Sequence, residues 1–522
     1  MHFVIPEDRH QITFMQSLDD LVPLDHYVRL IDALVDAIVS ANPVQFAYKG
    51  QSNSGRRAYN PATMIKLFLY GYLNSIKTSR TLERECHRNI EVIWLLGNLK
   101  PDHKSIADYR RDNAKAIKYV TNQFRHFLKD NGYIKGKLIA IDGSKVKANT
   151  NKDMLTIKKI EKRLDHLDKK LDHYLEQLMI NDRREDLLEE LEEHSSDDDI
   201  NKPGSPNQAL LDKISELQQQ VENLQKQKDE LQSQSRTSIS PTDPQANLMR
   251  SNDGMIPAYN TQIAVDHEHH MIAHSEVFDA SNDIQLLEPM LDKLEHEMNL
   301  NPEATVADSG YYNLIQIETV EDNYQTACYI PRPKHKNDNR PITFNYDKEQ
   351  DEYRCSQGKR LVKKQKNKIK NGQRFDLYQG IECNGCTMRT QCTTSKYGRI
   401  VNRYYNQTRR DSYRRRMAGI TAKKIIHLRK QMVEHPFGTI KYWMGKIPLL
   451  LRGKKKVTTE INIFTTVYNF RRLLSIESYH DIMDMINKYE WKMACYPCHF
   501  IFYTKYGNLK TIFSNKDYII DN

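Results

Sequence analysis

The spacing of apolar positions changes several times along the chain, and each change predicts a different element. Between 60 and 76, Ile65, Phe68, Leu69, Tyr72, Leu73 and Ile76 recur at steps of three and four, with Asn60 placed to cap a helix and Pro61 to open it. Helical patterns continue through SRTLERECHRNIEVIWLLG and KPDHKSIADYRRDN, where Ser105 reads as a cap and Arg110 and Arg111 close the run. A helical region with basic edges suits either a helix-turn-helix-like DNA reader or a generic helical bundle.

KLIAIDGSKVKAN, residues 137–149, breaks this period: Leu138, Ile139, Ala140 and Ile141 read as a buried strand that ends at Asp142 and Gly143. From 157 a heptad seam runs through Ile157, Ile160, Leu164, Leu167, Leu171, Tyr174 and Leu178. After the break HSSDDDINKPGSPN a second seam follows through Leu210, Ile214, Leu217, Val221, Leu224 and Leu231, with Lys228 as its polar member. Two such helices predict a coiled-coil insertion over 151–236, folded back on itself or paired with another chain. Strand signals resume in AYNTQIAVDHEHHMIAHSEVF, two apolar runs around a turn, which predicts a hairpin with His267, His269 and His270 in solvent rather than on a metal. A helix, SNDIQLLEPMLDKLEHEM, then leads to ATVADSG, where another short apolar run ends in Asp308, and to the strand ACYIPRPK. With the coiled coil set aside, the order is that of a mixed α/β core.

Length and charge refine this picture. A chain of 522 residues predicts about three domains. No apolar run approaches the roughly 18 residues of a membrane span. MHFVIPEDRH lacks a basic segment and an apolar one, and eight cysteines are too sparse for a disulfide framework, so a reduced, cytoplasmic protein is expected. The net charge of +10 is unevenly spread: 401–460 holds 16 Lys and Arg against 3 Asp and Glu, while 151–200 holds 9 against 16. A basic block of this kind is either a polyanion footprint or a solvated face.

The chemistry narrows that choice. Asp142 and Asp308 each follow a buried strand, and a third acid, Glu434, stands in HLRKQMVEHPFGTIKYWMG with Lys441 two helical turns beyond it. Pro436 would sit in the first turn of a new helix. Three carboxylates converging from two strands and a helix suit hard divalent cations. Two Mg²⁺ ions about 3.5–4 Å apart can activate a water and stabilise the leaving oxygen of a phosphodiester.

Taken together, AIDGSKVKAN, YNTQIAVD, ATVADSGYYN and VEHPFGTIKYWMG resemble the bacterial insertion-sequence transposases of the DDE type, in the subgroup with a Tyr-x2-Arg-x3-Glu-x6-Lys signature. The match runs collinearly to about residue 475. The resemblance implies an RNase H-like mixed-sheet core and an N-terminal helical DNA-binding region. It implies Asp142, Asp308 and Glu434 as the metal-binding catalytic triad, holding two Mg²⁺ or Mn²⁺ ions. Lys441 matches the signature lysine that contacts DNA near the cut. The signature departs upstream, with His427 at the tyrosine position and Lys430 at the arginine position, beside Arg429. Metal-dependent cleavage at the element end, followed by attack of the freed 3′-hydroxyl on target DNA, is the implied reaction. Lys441, Lys430, Arg429, Arg110 and Arg111 are its expected DNA contacts.

The resulting domains are 1–130, helical and DNA-binding; 131–150 with 237–335, the catalytic core; 151–236, the coiled coil; 336–400, a basic cysteine-containing insert; 401–475, the core region carrying the glutamate; and 476–522, a tail. Within the insert, Cys383-x2-Cys386 has zinc spacing, and Cys355 and Cys392 complete four thiols, against the alternative of unliganded reduced cysteines. QGKRLVKKQKNKIKNGQR, between the first and second of these, is placed to touch phosphates. Cys495 and Cys498 have no second pair nearby and stay unassigned. The expected partners are terminal-repeat and target DNA and a second copy of the chain, dimeric or larger on DNA, with no membrane and a nucleoid-associated location. Two other readings remain: a metal-dependent nuclease that does not join, and an inactive protein that occupies element ends.

Overall fold

The computed structural model describes residues 17–46, 58–150, 154–192, 206–233, 236, 238–251, 254–333, 342–370, 372–443 and 449–491. Six helices come first: α1 Tyr27–Ala41, α2 Pro61–Leu73, α3 Ser79–Arg88, α4 Ile90–Leu95, α5 His103–Asp112 and α6 Ala114–Asp130. Asn60 caps α2 through Ala62 N, with Pro61 at its first position. The seam does not face one side: α2 is buried from Met64 to Tyr72, so it is the central helix of the group. The cap of α5 is Asp102, whose Oδ1 accepts from Ser105 N at 2.9 Å; Ser105 lies inside the first turn and is not the cap the sequence predicts.

The core sheet begins with β1, Leu138–Lys147. The coiled-coil helices α7, Ile157–Glu192, and α8, Pro206–Ser233, follow. They fold back on each other within the chain: Lys228 pairs with Glu161 at 3.1 Å, and Lys213 lies over the Tyr174 ring. A bridge between Leu155 and Ile239 closes their base. The sheet resumes with β2 Asn247–Ser251, β3 Gly254–Asp266 and β4 Ile272–Phe278, then α9 Leu287–Met298, β5 Ala304–Val306, α10 Leu314–Tyr324 and β6 Ala327–Tyr329. The strand order is β2-β3-β1-β5-β6, with β4 also on β3. β3 is antiparallel to β1 and β4, whereas β5 and β6 run parallel to their neighbours.

A second, five-stranded antiparallel sheet follows, in order β11-β10-β9-β8-β7: β7 Phe344–Asp347, β8 Glu352–Cys355, β9 Arg360–Lys370, β10 Gln373–Gly380 and, after the short α11 Arg389–Cys392, β11 Ile400–Tyr404. The chain ends in α12 Gln407–Ala418, α13 Ile420–Trp443, α14 Lys454–Leu474 and α15 Tyr479–Lys488. α13 continues through Pro436, so no new helix starts there.

The N-terminal helices are not a separate body. α14 lies between them and the sheet, and one continuous apolar core joins all three. Tyr72 of α2 packs edge-on against Phe464 of α14 at 4.9 Å. Arg125 of α6 donates to Ser275 Oγ of β4 at 2.6 Å and to Thr465 Oγ1 of α14 at 3.0 Å. The small second sheet, in contrast, buries only Tyr353, Leu361 and Tyr378 in its own cluster.

Candidate active site

Register brings the two aspartates together. The parallel ladder between β1 and β5 pairs Leu138 with Ala304, Ile139 with Thr305 and Ala140 with Val306. Side chains two residues apart share a face of a strand. Asp142 and Asp308 therefore stand two residues past the same pair, on the same face. Asp142 is not a strand end, as the sequence predicts, because β3 keeps pairing with β1 out to Lys147. Only the parallel side stops, and this opens the notch into which both carboxylates project. Asp308 turns away from the sheet by capping a turn of 3-10 helix, Ser309–Tyr311, accepting from Gly310 N at 2.7 Å.

One cationic centre faces both acids. Arg429 of α13 places Nη2 2.6 Å from Asp142 Oδ1 and 3.8 Å from Asp308 Oδ2. Asp142 is 19% exposed and Asp308 44%. Burial pushes the Asp142 carboxyl up to about 6; Arg429 pulls it down and Asp308 adds to the rise.

A third carboxylate, which the sequence reading passed over, lies close by. Asp283 precedes α9 and its Oδ1 accepts from Lys145 Nζ at 3.0 Å, Asn260 Nδ2 at 2.6 Å and Gln262 Nε2 at 2.9 Å. Gln262 Oε1 in turn accepts from the Tyr311 hydroxyl. A Cβ on Gly310 would lie 2.9 Å from Asp308 Oδ1 and 3.7 Å from Asp283 Oδ2, so the two acids flank one glycine. Burial raises the Tyr311 hydroxyl well above its ordinary value, and the charges of Asp283, Asp142 and Asp308 raise it further. Asp283 thus ties Gln262 and Tyr311, and through them the Asp308 turn, to β1. The sequence reading placed it at the start of the helix SNDIQLLEPMLDKLEHEM, where an acid is ordinary; the helix instead begins at Leu287 and leaves Asp283 in the turn before it.

Gly143 is required by that network. A Cβ there would sit 2.2 Å from Gln262 Nε2 and 3.0 Å from Asn260 Oδ1. Both side chains are buried and bonded to Asp283, so they cannot yield cheaply. Gly143→Ala is expected to cost about 1–3 kcal/mol and to lower DNA cleavage more than a stability loss of that size explains. Chemical unfolding, compared with an end-cleavage assay, checks both.

The other predicted residues are placed differently. Glu434 is exposed and is not drawn toward Asp142 or Asp308. Among the described residues no three histidine, cysteine or acidic side chains are gathered as a metal-ligand set. The reason is helical phase: Ala422, Met432, Val433, Pro436 and Ile440 make the buried face of α13, Arg429 lies on it, and Glu434 is about 140° further round. Lys430 and His427 are exposed on that outer side. Lys441 belongs to α13, but its side chain lies outside the described residues, as do Cys495 and Cys498. Arg429, expected to touch DNA, is instead an ion-pair partner of both aspartates.

Arg110 is a correction too. It is 3% exposed and donates to Lys77 O at 2.8 Å and Tyr72 Oη at 3.3 Å, so it belongs to the core rather than to a DNA surface. Arg111 is exposed but paired with Asp108 and Asp112. Cys355, Cys383, Cys386 and Cys392 line one cavity in the second sheet. No described helix is long and apolar enough to cross a membrane.

Two family models match this geometry's host. Residues 16–112 match the transposase domain DUF772, and residues 354–474 match the transposase DDE domain, which includes Arg429, Glu434 and α14. The chain carries two transposase domains, the second of the DDE type. Comparison with curated proteins finds no match. The solved piggyBac transposase synaptic complex with hairpin DNA aligns at 9% identity over 89% of this chain and 79% of that one, with a TM-score of 0.32, too loose a superposition to carry an argument. The DDE match gives the transposase a divalent metal as its general cofactor and DNA as its partner. Its two aspartates suit that metal: their oxygens already address a single positive centre, occupied by the Arg429 guanidinium.

Proposed function

We propose that this DNA transposase cleaves phosphodiesters at the ends of its element and joins them to target DNA, at a site built on Asp142 and Asp308. The observation that carries this is their same-face convergence past the β1–β5 ladder onto one cationic position. The sheet supports an RNase H-like reading: three antiparallel strands, β4-β3-β1, then two parallel ones, β5 and β6, reached through helices. We infer the subgroup with the Tyr-Arg-Glu-Lys signature from Glu434 and Lys441 alone, since His427 and Lys430 depart from it.

In this reading Asp142 and Asp308 are the residues that would hold the two Mg²⁺ or Mn²⁺ ions. Bound there, the metal would supply a water activated for in-line attack and stabilise the leaving oxygen. The chain's own residues do the rest. Arg429 gives up its position between the aspartates and becomes available to the scissile phosphate. Asp283, through Gln262 and Tyr311, keeps the Asp308 turn in register with β1. Glu434 is proposed as the acid that completes the set. It is exposed on the same helix as Arg429 and must be carried inward when DNA engages.

The DNA would lie over Lys430, Lys441 and the basic β9–β10 hairpin, in a cytoplasmic, nucleoid-associated setting. Self-association is proposed at the far end of the α7–α8 hairpin, where Met179, Ile180 and Leu211 are exposed. A chain that stays monomeric on end DNA would count against this last point.

The test is a labelled element-end duplex with Mg²⁺, followed by target DNA. Cutting and then covalent joining are expected. Cutting without joining would make the protein a nuclease, and binding without cutting under any divalent metal would make it an end-binding protein.

A further inference from the structure

The second sheet, residues 342–404, has more surface than its core can support. Five strands bury three large side chains in their own cluster, and so small a core ordinarily needs a staple. Its four cysteines are placed where a staple would be. Cys355 ends β8, Cys383 and Cys386 follow β10, and Cys392 closes α11. These three stretches of chain meet around one small cavity of about 20 Å³. That is room for a single atom-sized occupant.

The cavity is built, not incidental. The Cys383 sulfur is seated between two glycines. A Cβ on Gly380 would lie 2.3 Å from Cys383 Sγ, and one on Gly398, at φ +89°, would lie 3.4 Å from it and 2.6 Å from Gly380 O. Arg399 N donates to Cys383 Sγ at 3.5 Å, so the sulfur is held by a main-chain bond. Arg399 also lines the cavity, and its Nε is buried without a hydrogen-bond partner among the described residues. Lys359 and Arg389 bring two further positive charges to the lining. None of the four cysteines is in a disulfide.

We propose that Cys355, Cys383, Cys386 and Cys392 bind one structural zinc ion, independent of the DNA-cutting site. Four thiols and one Zn²⁺ give a tetrahedral thiolate complex with sulfurs about 2.3 Å from the metal. Four protons pass to solvent, and the complex carries two negative charges, which Arg399, Arg389 and Lys359 offset. The four side chains line the cavity without being closed into a ligand set. The unpartnered Arg399 Nε–H then has a thiolate to donate to. The ion would fix the base of the basic β9–β10 hairpin and the start of the chain leading to α12.

The test is the metal content of the full-length protein, purified without chelators, by plasma mass spectrometry. One zinc per chain is expected, with zinc falling to near zero in Cys383→Ser and Cys386→Ser. Cobalt substitution is the second measurement, for the case where those variants do not fold. The intact protein should show thiolate-to-cobalt charge transfer and intense tetrahedral bands. Soluble protein with all four thiols titratable and no zinc, or a cobalt spectrum without sulfur ligation, would overturn the proposal. Neither readout depends on DNA cleavage, so failure here leaves the transposition reading standing, and failure there leaves the zinc site standing.

Discussion

Asp142→Asn is expected to abolish DNA cleavage while leaving the fold almost unchanged. The two effects separate because the carboxylate is costly to the fold and, in the proposed reaction, necessary to the chemistry. Burial outweighs the pull of Arg429, so the Asp142 carboxyl is raised to about 6 and its ionised form is held at a cost. An uncharged isostere removes that cost. Arg429 keeps a second acid, Asp308, 3.8 Å away, so it is not stranded. Stability should therefore change little in either direction. Metal binding, by contrast, loses one of two oxygen donors that address the same centre. A loss of at least about 10³-fold in end cleavage follows, roughly 4 kcal/mol of barrier. The check is a cleavage time course beside a denaturant titration of the same preparation, with Mn²⁺ affinity followed by spin resonance. Retained cutting would remove Asp142 from the catalytic site, and a collapsed unfolding midpoint would make it structural.

That the two aspartates were legible in the sequence, and their surroundings were not, has a physical basis. An acid that closes an apolar run is a local signal, and both runs, LIAID and ATVAD, carry it. The length of β1 is set by β3, more than a hundred residues away, and no local pattern reports that partner. Asp283 was hidden because it was read into the start of the following helix, where an acid is ordinary; its three donors come from two strands that sequence does not place beside it. The phase of α13 could have been read. Ala422, Arg429, Val433, Pro436 and Ile440 follow helical steps, so Arg429, rather than Glu434, belongs to the stripe that faces the sheet. The heptad seams were legible, but their partner was not, since the same seam serves a second chain or a fold-back; the Lys228–Glu161 and Lys213–Tyr174 contacts are what show the fold-back.

The largest expected stability effect comes from Arg110, whose composition looked like that of its neighbour Arg111. Arg110→Ala should cost about 2–3 kcal/mol, far more than Arg111→Ala, whose side chain is exposed. Part of the difference is Glu460, which Arg110 reaches through the Tyr72 hydroxyl rather than by a direct ion pair. It is fully buried on α14, accepts from Leu450 N and Leu451 N, and meets the Tyr72 hydroxyl at 3.4 Å. Burial raises its carboxyl, and Arg110 is the first of the influences that pull it back. Without Arg110, Glu460 is a buried charge with neutral hydrogen-bond donors and the half-buried Lys77 as its remaining cation, at the seam between the N-terminal helices and the core. The pH dependence follows from the sign of that shift. Below the ordinary glutamate value of 4.5 the group is protonated in both folded and unfolded chains, so its part of the penalty is absent. As pH rises through the raised folded value the unfolded chain ionises first, and the penalty grows to its full size. The variant's deficit against the parent protein, measured by urea unfolding from mildly acidic to neutral pH, should therefore widen as pH rises. A deficit that is flat with pH would assign the loss to packing on Phe68 and Tyr72 alone. A variant of full stability that has lost DNA binding would return Arg110 to the DNA surface where its sequence context first put it.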